Sequence, residues 1–191
     1  MRSSAASDVY KRQIEDISKV GYGGVLCIET GGPTPGLGCA GRGIIATFSL
    51  LEDLELFEIH QPDVVLYDVL GDVVCGGFSM PMRRGYADKV FVITSGENMA
   101  IHAAANIAMA VENFKDRGYA QLGGLILNRR NVKNEDAKVE ELAEDIHSKV
   151  IGTLSRSELV TDAEEQKKTV IEAYPDSEMA EEYRILAGKI R

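Results

Sequence analysis

The sequence predicts an α/β fold with a mostly parallel sheet. From Gly21 onward, short β-branched runs alternate with longer stretches of helical periodicity, which is the pattern of repeated βα units. The runs are nearly continuous in apolar residues, as expected for strands that are covered on both faces. The 191 residues, 45% of them hydrophobic, are enough for one globular domain with a substantial core or for two very small ones, and one domain is the expectation. We therefore expect one three-layer domain with helices on both faces of the sheet.

Five runs are predicted to be strands because they are short, apolar and bounded by glycine or polar residues. In chain order they are Val25–Glu29, Asp63–Asp68, Lys89–Thr94, Leu122–Leu127 and Val150–Leu154. Four longer segments are predicted to be helices, since their apolar residues recur every three or four positions. These are Gly43–Leu54, Glu97–Arg117, Asn134–Ser148 and Ser177–Lys189.

Two features refine the helix predictions. Gly118 follows the second predicted helix and is suited to its C-cap, because glycine adopts the left-handed conformation that often ends a helix. The acidic run between Asn134 and Asp145 predicts a helix face that is exposed to solvent.

The charge balance and the cysteine count exclude several classes of protein. Thirty acidic residues against 21 basic ones leave a net charge of −9, which argues against nucleic acid or an anionic membrane as a partner. Three cysteines are too few for a disulfide framework. No apolar run reaches the roughly 20 residues of a spanning helix, and no signal peptide is recognisable. We therefore expect a cytoplasmic protein.

The first 13 residues are treated separately from the fold. Residues 3–13, SSAASDVYKRQ, resemble the translation of a transposase-type sequencing-library adaptor, with a natural polar arm as the alternative. Residues 1–13 carry a net charge of +2, so residues 14–191 carry −11. An adaptor fused to coding sequence implies that an earlier part of the domain is missing. Residues 14–191 are then expected to be a partial domain.

Two glycine-rich segments each contain one cysteine. GGPTPGLGCAGRG includes Cys39 and DVLGDVVCGGF includes Cys75, and both follow predicted strands, where open α/β sheets bind ligands. Glycines let the backbone approach a bulky group and direct N–H donors towards it, which suits an anionic iron–sulfur cluster. Ordinary buried thiols are the alternative. A four-iron cluster takes four thiolates, so the cluster hypothesis implies a symmetric homodimer in which each subunit supplies two.

The sequence around both cysteines resembles the cluster-ligand motifs of the nitrogenase iron protein family. The resemblance lies in CIETGGPTPGLGCAGRG and YDVLGDVVCGGFSMPMR, and it continues through ITSGENMAIHAAANI, LGGLILNRRN, KTVIEAYPDSE and AEEYRILAGKI. Members of this family are ATP-dependent reductases with a P-loop NTPase-type fold. Their homodimer holds one 4Fe-4S cluster, binds MgATP and passes single electrons to a larger metalloprotein. The resemblance implies these properties here, with a ferredoxin or flavodoxin as the upstream donor.

The resemblance assigns roles to residues of both glycine-rich segments. Cys39 and Cys75 match the cluster ligands. Arg42 matches a surface arginine that contacts the partner and is ADP-ribosylated in some members; a solvated loop arginine is the alternative. Asp68 would hold the Mg²⁺ shell, and Asp72 would belong to the switch that senses the γ-phosphate. The alternative is that both aspartates only cap a strand end and a turn.

Further residues are assigned to the nucleotide. Asn128 and Arg129 follow the run LGGLIL, where the family has an asparagine that contacts adenine, although an asparagine could also simply end the strand. Tyr183 is expected either near the base or in the core. Cys27, inside a predicted strand, is expected to be a core thiol. The histidines share no metal-ligand spacing and are expected to be bystanders; they are His60, His102 and His147.

The sequence departs from the family pattern in one major respect. The P-loop signature Gly-x-x-x-x-Gly-Lys-Ser/Thr does not occur, so the fold is predicted to lack its first P-loop βα unit. These residues alone are then not expected to hydrolyse ATP.

Smaller departures concern the acceptor. His102, Ala105, Arg84 and the segment LSRS at 154–157 differ from the usual family residues at the docking surface and the nucleotide rim. A reductase for another acceptor, such as the nickel-tetrapyrrole cyclase of methanogens or a sulfur-compound reductase, is therefore an alternative to nitrogen fixation. A cluster-free partitioning or assembly ATPase of the same fold is an alternative of another class, and it would not need Cys39 and Cys75 in these surroundings.

Overall fold

The computed structural model describes residues 14–29, 40–69, 71, 79–83 and 85–191. The predicted residues Cys39, Cys75 and Asp72 lie outside these ranges. The chain divides into two compact units, one of residues 1–68 with 74–80 and the other of residues 69–73 with 81–191.

The described residues of the first unit form a β-hairpin, a helical turn at 14–17 and two further helices. Its elements are β1 (Ser18–Val20), β2 (Leu26–Ile28), α1 (Ala40–Asp53) and α2 (Leu56–His60). β1 and β2 are antiparallel, with Lys19 opposite Cys27. Leu26 and Ile28 pack against a small core of Ile14, Leu51, Leu54 and Leu56. The alternation of side chains along β2 therefore turns Leu26 and Ile28 inward.

Of the two strands predicted in this unit, the first is confirmed as a shorter strand with a different pairing, and the second is wrong. The run Val25–Glu29 does contain a strand, but that strand pairs antiparallel with the residues just before it, because the chain reverses at Gly23, whose φ is 67°. The run Asp63–Asp68 forms no strand, and Val64 and Leu66 are 55% and 77% exposed. Among the described residues no strand pairs with this run, so the ladder hydrogen bonds that define a strand are missing.

The second unit contains the parallel sheet that the sequence predicts. β3 (Lys89–Thr94), β4 (Gln121–Asn128) and β5 (Val150–Leu154) pair in the order β3-β4-β5. β3 and β5 have the predicted bounds, and β4 is one residue longer at each end. The pairing shifts near Gly123, because Leu122 is opposite Val90 while Gly124 is opposite Phe91. A Cβ at Gly123 would lie 2.5 Å from the nearest atom of the Phe91 ring, so this position suits glycine.

Five helices accompany this sheet. They are α3 (Asn98–Phe114), α4 (Glu135–Asp145), α5 (Glu158–Glu165), α6 (Val170–Ala173) and α7 (Glu178–Ile190). α3, α4 and α7 confirm the predictions to within a few residues. A 3₁₀ turn follows α3 and ends at Gly118, whose φ of 73° confirms the predicted cap. Periodicity missed α5 and α6 because segments this short carry few apolar positions.

Two core clusters hold the second unit together. The first joins the sheet to α3 and α4 through Val92, Ala104, Leu125, Leu127, Val139, Leu142 and Ala143. The second joins Leu154 of β5 to α5, α6 and α7 through Ala163, Val170, Met179 and Ala180. Each fully buried Leu or Val in these clusters stabilises the fold by about 1.5–3 kcal/mol. Within the described ranges, no helix has both the length and the apolar character to cross a membrane.

Candidate functional site

The candidate site lies at the carboxyl ends of the three parallel strands. The chain leaves β3 at Ser95, β4 at Arg129 and β5 at Ser155, so three loops meet at one edge of the sheet. Open α/β sheets bind their ligands at this edge. Of the predicted nucleotide residues, Asn128 ends β4 and Arg129 begins the middle loop.

The loop after β4 is joined to the end of β5. Asn128 is the last residue of β4 and its side chain is exposed. The backbone N–H of Arg129 donates to the carbonyl of Leu154 at 2.9 Å, which keeps the two strand ends together. Further along the loop, Asn131 and Asn134 have φ values of 61° and 58°. Asparagine tolerates this left-handed region better than most residues, so the loop makes a tight turn before α4.

Glu135 is the buried carboxylate of this loop. It is only 5% exposed, and its two oxygens accept the backbone N–H groups of Arg130 and Asn131, both at 3.0 Å. The prediction of a solvent-facing acidic run is therefore wrong at Glu135, although its neighbours Glu140 and Glu141 are exposed. The reason is that a carboxylate can be buried when hydrogen bonds replace the water it loses.

The loop after β3 packs directly on α4. A Cβ at Gly96 would overlap the Glu135 side chain and lie 2.7 Å from the Glu135 Cα. The Lys138 ammonium donates to the Gly96 carbonyl at 3.2 Å and to the Asn98 side chain at 3.3 Å. The first turns of α4 therefore connect the loops that follow β3 and β4.

The loop after β5 is held by α7. Both oxygens of Glu182 accept hydrogen bonds from Ser155, one from the backbone N–H at 2.6 Å and one from the hydroxyl at 2.7 Å. The guanidinium of Arg156 donates to the carbonyl of Arg130 at 3.5 Å, a long contact that links this loop to the one after β4. Glu135 and Glu182 thus each fix one loop of the site.

The Arg129 side chain has an ion-pair partner for its terminal NH₂ group and, within the described ranges, no partner for its Nε–H group. Its guanidinium pairs with the exposed carboxylate of Asp136 on α4. Its Nε is buried and has no hydrogen-bond partner among the described residues. An oxygen of a bound ligand could accept from such a donor, because a buried N–H without a partner is costly.

Two further predicted nucleotide residues, Asp68 and Tyr183, belong to different elements. Asp68 is exposed at the end of an extended run in the first unit. Tyr183 is half-buried on α7 and packs against the second core cluster. Burial, followed by the negative charges of Glu164 and Glu182, raises the pKa of Tyr183 above its ordinary value. Its position fits the core role that the sequence analysis left open, and it adjoins the residue that holds Ser155.

The cysteine and histidine predictions have different outcomes. Cys27 is exposed, so its expected place in the core is wrong; its neighbours in β2 face inward and it faces out. Cys39 lies outside the described residues, but the next residue, Ala40, begins α1. The first turn of α1 contains Arg42 and no acidic residue.

The histidines His60, His102 and His147 are exposed. In the described part of the chain, no group of His, Cys, Asp and Glu is arranged to hold a metal ion.

Comparison with known proteins decides the family. A profile of the 4Fe-4S iron sulfur cluster binding proteins of the NifH/frxC family matches residues 3–191. The chain belongs to this family. Nitrogenase iron proteins are among its relatives: one from Methanococcus voltae is 46% identical over 178 residues, and one from Methanospirillum hungatei is 50% identical over 179. Each alignment covers 93% of this chain but 64% and 63% of the relative, so the chain spans somewhat less than two thirds of their length.

Solved structures confirm the P-loop NTPase-type fold of this NifH-family chain. The cell division ATPase MinD of Pyrococcus furiosus has a TM-score of 0.63 at 16% identity, with 96% of this chain and 73% of that chain covered. A ParA family ATPase from Chlorobium tepidum has a TM-score of 0.64 at 14% identity, with 97% and 72% covered. At this identity the likeness concerns the fold alone. It does not favour the partitioning ATPase alternative, because the close sequence relatives are nitrogenase iron proteins.

Sequence reasoning missed the two glutamates that hold the loops of this NifH-family site. Glu135 and Glu182 occur in acidic stretches of helices, and nothing in their spacing separates them from exposed neighbours. One weak signal is present: Glu135 follows Asn134, a residue type that favours a helix start, so a local role at the beginning of α4 was conceivable. The contact with the loop after β4 became visible only in the structure.

Proposed function

We propose that this chain is the ATP-dependent iron–sulfur reductase component of a nitrogenase. In this proposal a homodimer passes single electrons from a bridging 4Fe-4S cluster to a larger metalloprotein. Its relatives of 46% and 50% identity are nitrogenase iron proteins, which supports the proposal. The main support is the pair Cys39 and Cys75. Such a cluster needs four thiolates, and a chain that supplies two can provide them only as a dimer.

The donor set fits a cluster of this kind. Cys39 directly precedes α1, a helix of 14 residues whose first turn has no acidic side chain. The amino end of a helix carries a partial positive charge and free N–H groups, which stabilise a thiolate or an anionic cluster nearby. Cys75, between glycine-rich neighbours, supplies the second thiol. When bound, the cluster supplies one-electron redox chemistry.

The chain's own residues have three further roles in this proposal. Asp68 and Asp72 bind the Mg²⁺ shell and respond to the γ-phosphate, and the short interval to Cys75 lets that response reach the cluster ligand. Asn128 and Arg129 recognise the adenine base, whereas Tyr183, which packs against the second core cluster, is not assigned to it. Arg42, in the first turn of α1, contacts the acceptor protein or is the site of ADP-ribosylation. A ferredoxin or flavodoxin supplies the electrons.

Nucleotide hydrolysis needs a further element. The P-loop signature is not among the 191 residues, so we propose that residues 14–191 are the later part of a P-loop NTPase domain and that they do not hydrolyse ATP alone. Residues 1–13 are proposed to be adaptor-derived and to have no part in the function.

An acceptor other than nitrogenase is the second candidate. His102 and the segment LSRS at 154–157 differ from the usual family residues, and within this segment the Ser155 N–H and hydroxyl both bind Glu182. A nitrogenase-like enzyme such as a nickel-tetrapyrrole cyclase is therefore the competing partner.

Electron transfer to purified acceptors tests the function. The protein, in a form that carries the P-loop element missing from residues 14–191, is reduced with dithionite, freed of excess reductant and mixed with MgATP and a nitrogenase catalytic component, and its oxidation is followed by its visible absorbance. We expect oxidation that requires both MgATP and the acceptor. Oxidation only by the tetrapyrrole cyclase component would favour the second candidate. A chain that holds no redox-active cluster would contradict both.

A further inference from the structure

Glu135 carries a buried carboxylate that the proposed function does not use. Among the described residues it is the one charged side chain that is buried, with 5% of its surface exposed. Burial of a carboxylate is unfavourable unless hydrogen bonds compensate for the lost water. The two hydrogen bonds it accepts are therefore the reason that it can be buried, and they define what it does.

Both hydrogen bonds go to the loop that follows Asn128. One oxygen accepts from the Arg130 N–H and the other from the Asn131 N–H, each at 3.0 Å. Two consecutive amides that converge on one carboxylate fix the direction of the backbone there. The φ of 61° at Asn131 is consistent with a tight turn stabilised in this way.

These contacts differ from an ordinary helix cap. Glu135 is the first residue of α4, and a capping side chain would bind the free N–H groups of that helix. Its two partners instead come four and five residues before it in the chain. On its other side Glu135 packs against Gly96, where a Cβ would lie 2.7 Å from the Glu135 Cα. The carboxylate is thus anchored on the loop after β3 and holds the loop after β4.

We propose that Glu135 is a positioning residue for recognition of the nucleotide base. By binding the Arg130 and Asn131 amides, it keeps Asn128 and Arg129 in the orientation in which they meet the base. The inference rests on the proposed function, since it takes the loop after β4 to be the adenine site. It adds a residue that touches no ligand but determines selectivity between bases.

The test compares base selectivity in matched variants of the protein in the form that carries the P-loop element missing from residues 14–191. Affinities for ADP and GDP are measured by calorimetry for the wild type, Glu135→Ala, Glu135→Gln and the control Glu140→Ala. Glu140 lies on the same helix and is exposed. Hydrogen exchange of the Arg130 and Asn131 amides is measured without nucleotide.

We expect Glu135→Ala to bind ADP about tenfold more weakly than the wild type does. Its affinity for GDP should decrease much less, since the loss concerns recognition of the base. Exchange of both amides should become faster. Glu135→Gln should give an intermediate result, because its amide oxygen can accept one N–H while its NH₂ group opposes the other. Glu140→Ala should match the wild type in all measurements.

The outcomes separate the inference from the proposed function. A Glu135→Ala variant with the wild-type ratio of ADP to GDP affinity would overturn the inference, because a purely structural role lowers both affinities equally. If circular dichroism shows that Glu135→Ala is unfolded, the ratio of ADP to GDP affinity is compared between Glu135→Gln and the wild type, and an unchanged ratio overturns the inference. A wild-type chain that binds ADP no better than GDP would contradict the adenine site, and one that binds neither would contradict the proposed function itself.

Discussion

Gly96 and Glu135 are in direct contact, although they belong to the loops at the ends of two different strands. A Cβ at Gly96 would overlap the Glu135 side chain and lie 2.7 Å from its Cα. Neither backbone can move away easily, since the Gly96 carbonyl also accepts from Lys138. The contact ties the loop after β3 to the first residue of α4.

Gly96→Ala is therefore expected to destabilise the fold. Overpacking of a buried site costs typically about 1–3 kcal/mol, and the backbone on the far side makes the upper part of that range the expectation. The free energy of unfolding, measured in urea, checks this. Gly188→Ala in α7 is the control: no atom lies within 4 Å of its added Cβ, so it should be neutral or slightly stabilising, by about 0.5–1 kcal/mol. Equal effects of the two substitutions would contradict the packing described.

Glu135 and Asp136 are neighbours that should differ in their contribution to stability. Glu135→Ala leaves two N–H groups without their acceptor and should cost about 1–3 kcal/mol. Asp136→Ala removes an ion pair with Arg129 whose side chains are 39% and 61% exposed, and such pairs contribute about 0–1 kcal/mol. Chemical denaturation at low and high salt distinguishes them, because only the Asp136 effect should shrink as salt increases. A larger loss for Asp136→Ala would be inconsistent with the burial of Glu135.

The Ser155–Glu182 contact should control the loop after β5. Glu182→Ala removes the acceptor of both hydrogen bonds, so the Ser155 amide should exchange with solvent faster and the loop should become less ordered. Ser155→Ala removes only the hydroxyl and should leave the amide protected. The control is Glu165→Ala, at an exposed position on α5. Amide exchange by NMR gives the comparison, and equal protection of Ser155 in all variants would rule out this role for Glu182.

Tyr183 should make stability depend on pH in the alkaline range. Burial, and then the charges of Glu164 and Glu182, raise the pKa of Tyr183 above its ordinary value of 10.0. The unfolded chain therefore loses this proton first, so the contribution of Tyr183 is complete below about pH 10 and decreases as the pH rises through the higher folded pKa. Tyr183→Phe should flatten the decrease in unfolding free energy above pH 10. An unchanged slope in this variant would mean that the phenol is not buried as described.

The sequence predicted the sheet of the second unit well and the first unit poorly. β3 and β5 were predicted to the residue, because their apolar runs are bounded by charged residues and serine and are paired within the unit. The run Asp63–Asp68 also has a mostly apolar centre, but it has no pairing strand among the described residues. The composition of a run indicates whether it tends to be buried. A strand also needs a neighbouring strand to pair with, and that neighbour is distant in the sequence.

The residues of the candidate site likewise include some that the sequence predicts and some that it does not. Asn128 and Arg129 were found because they follow a recognisable strand. Glu135 and Glu182 were not found, because whether a glutamate is buried depends on which backbone amides the fold brings to it. Cys27 was misplaced for a related reason: membership of a strand does not say which face a residue occupies.

The most direct test of the central claim is the iron and sulfide content of the anaerobically purified chain in three cysteine variants. The account predicts a brown homodimer with about four iron ions per two chains, as a single 4Fe-4S cluster requires. Cys39→Ser and Cys75→Ser should each lose the colour and the iron. Cys27→Ser, at an exposed position on β2, should keep both. A colourless wild-type dimer, or loss of iron in Cys27→Ser with retention in Cys39→Ser or Cys75→Ser, would contradict the claim that Cys39 and Cys75 hold a shared cluster.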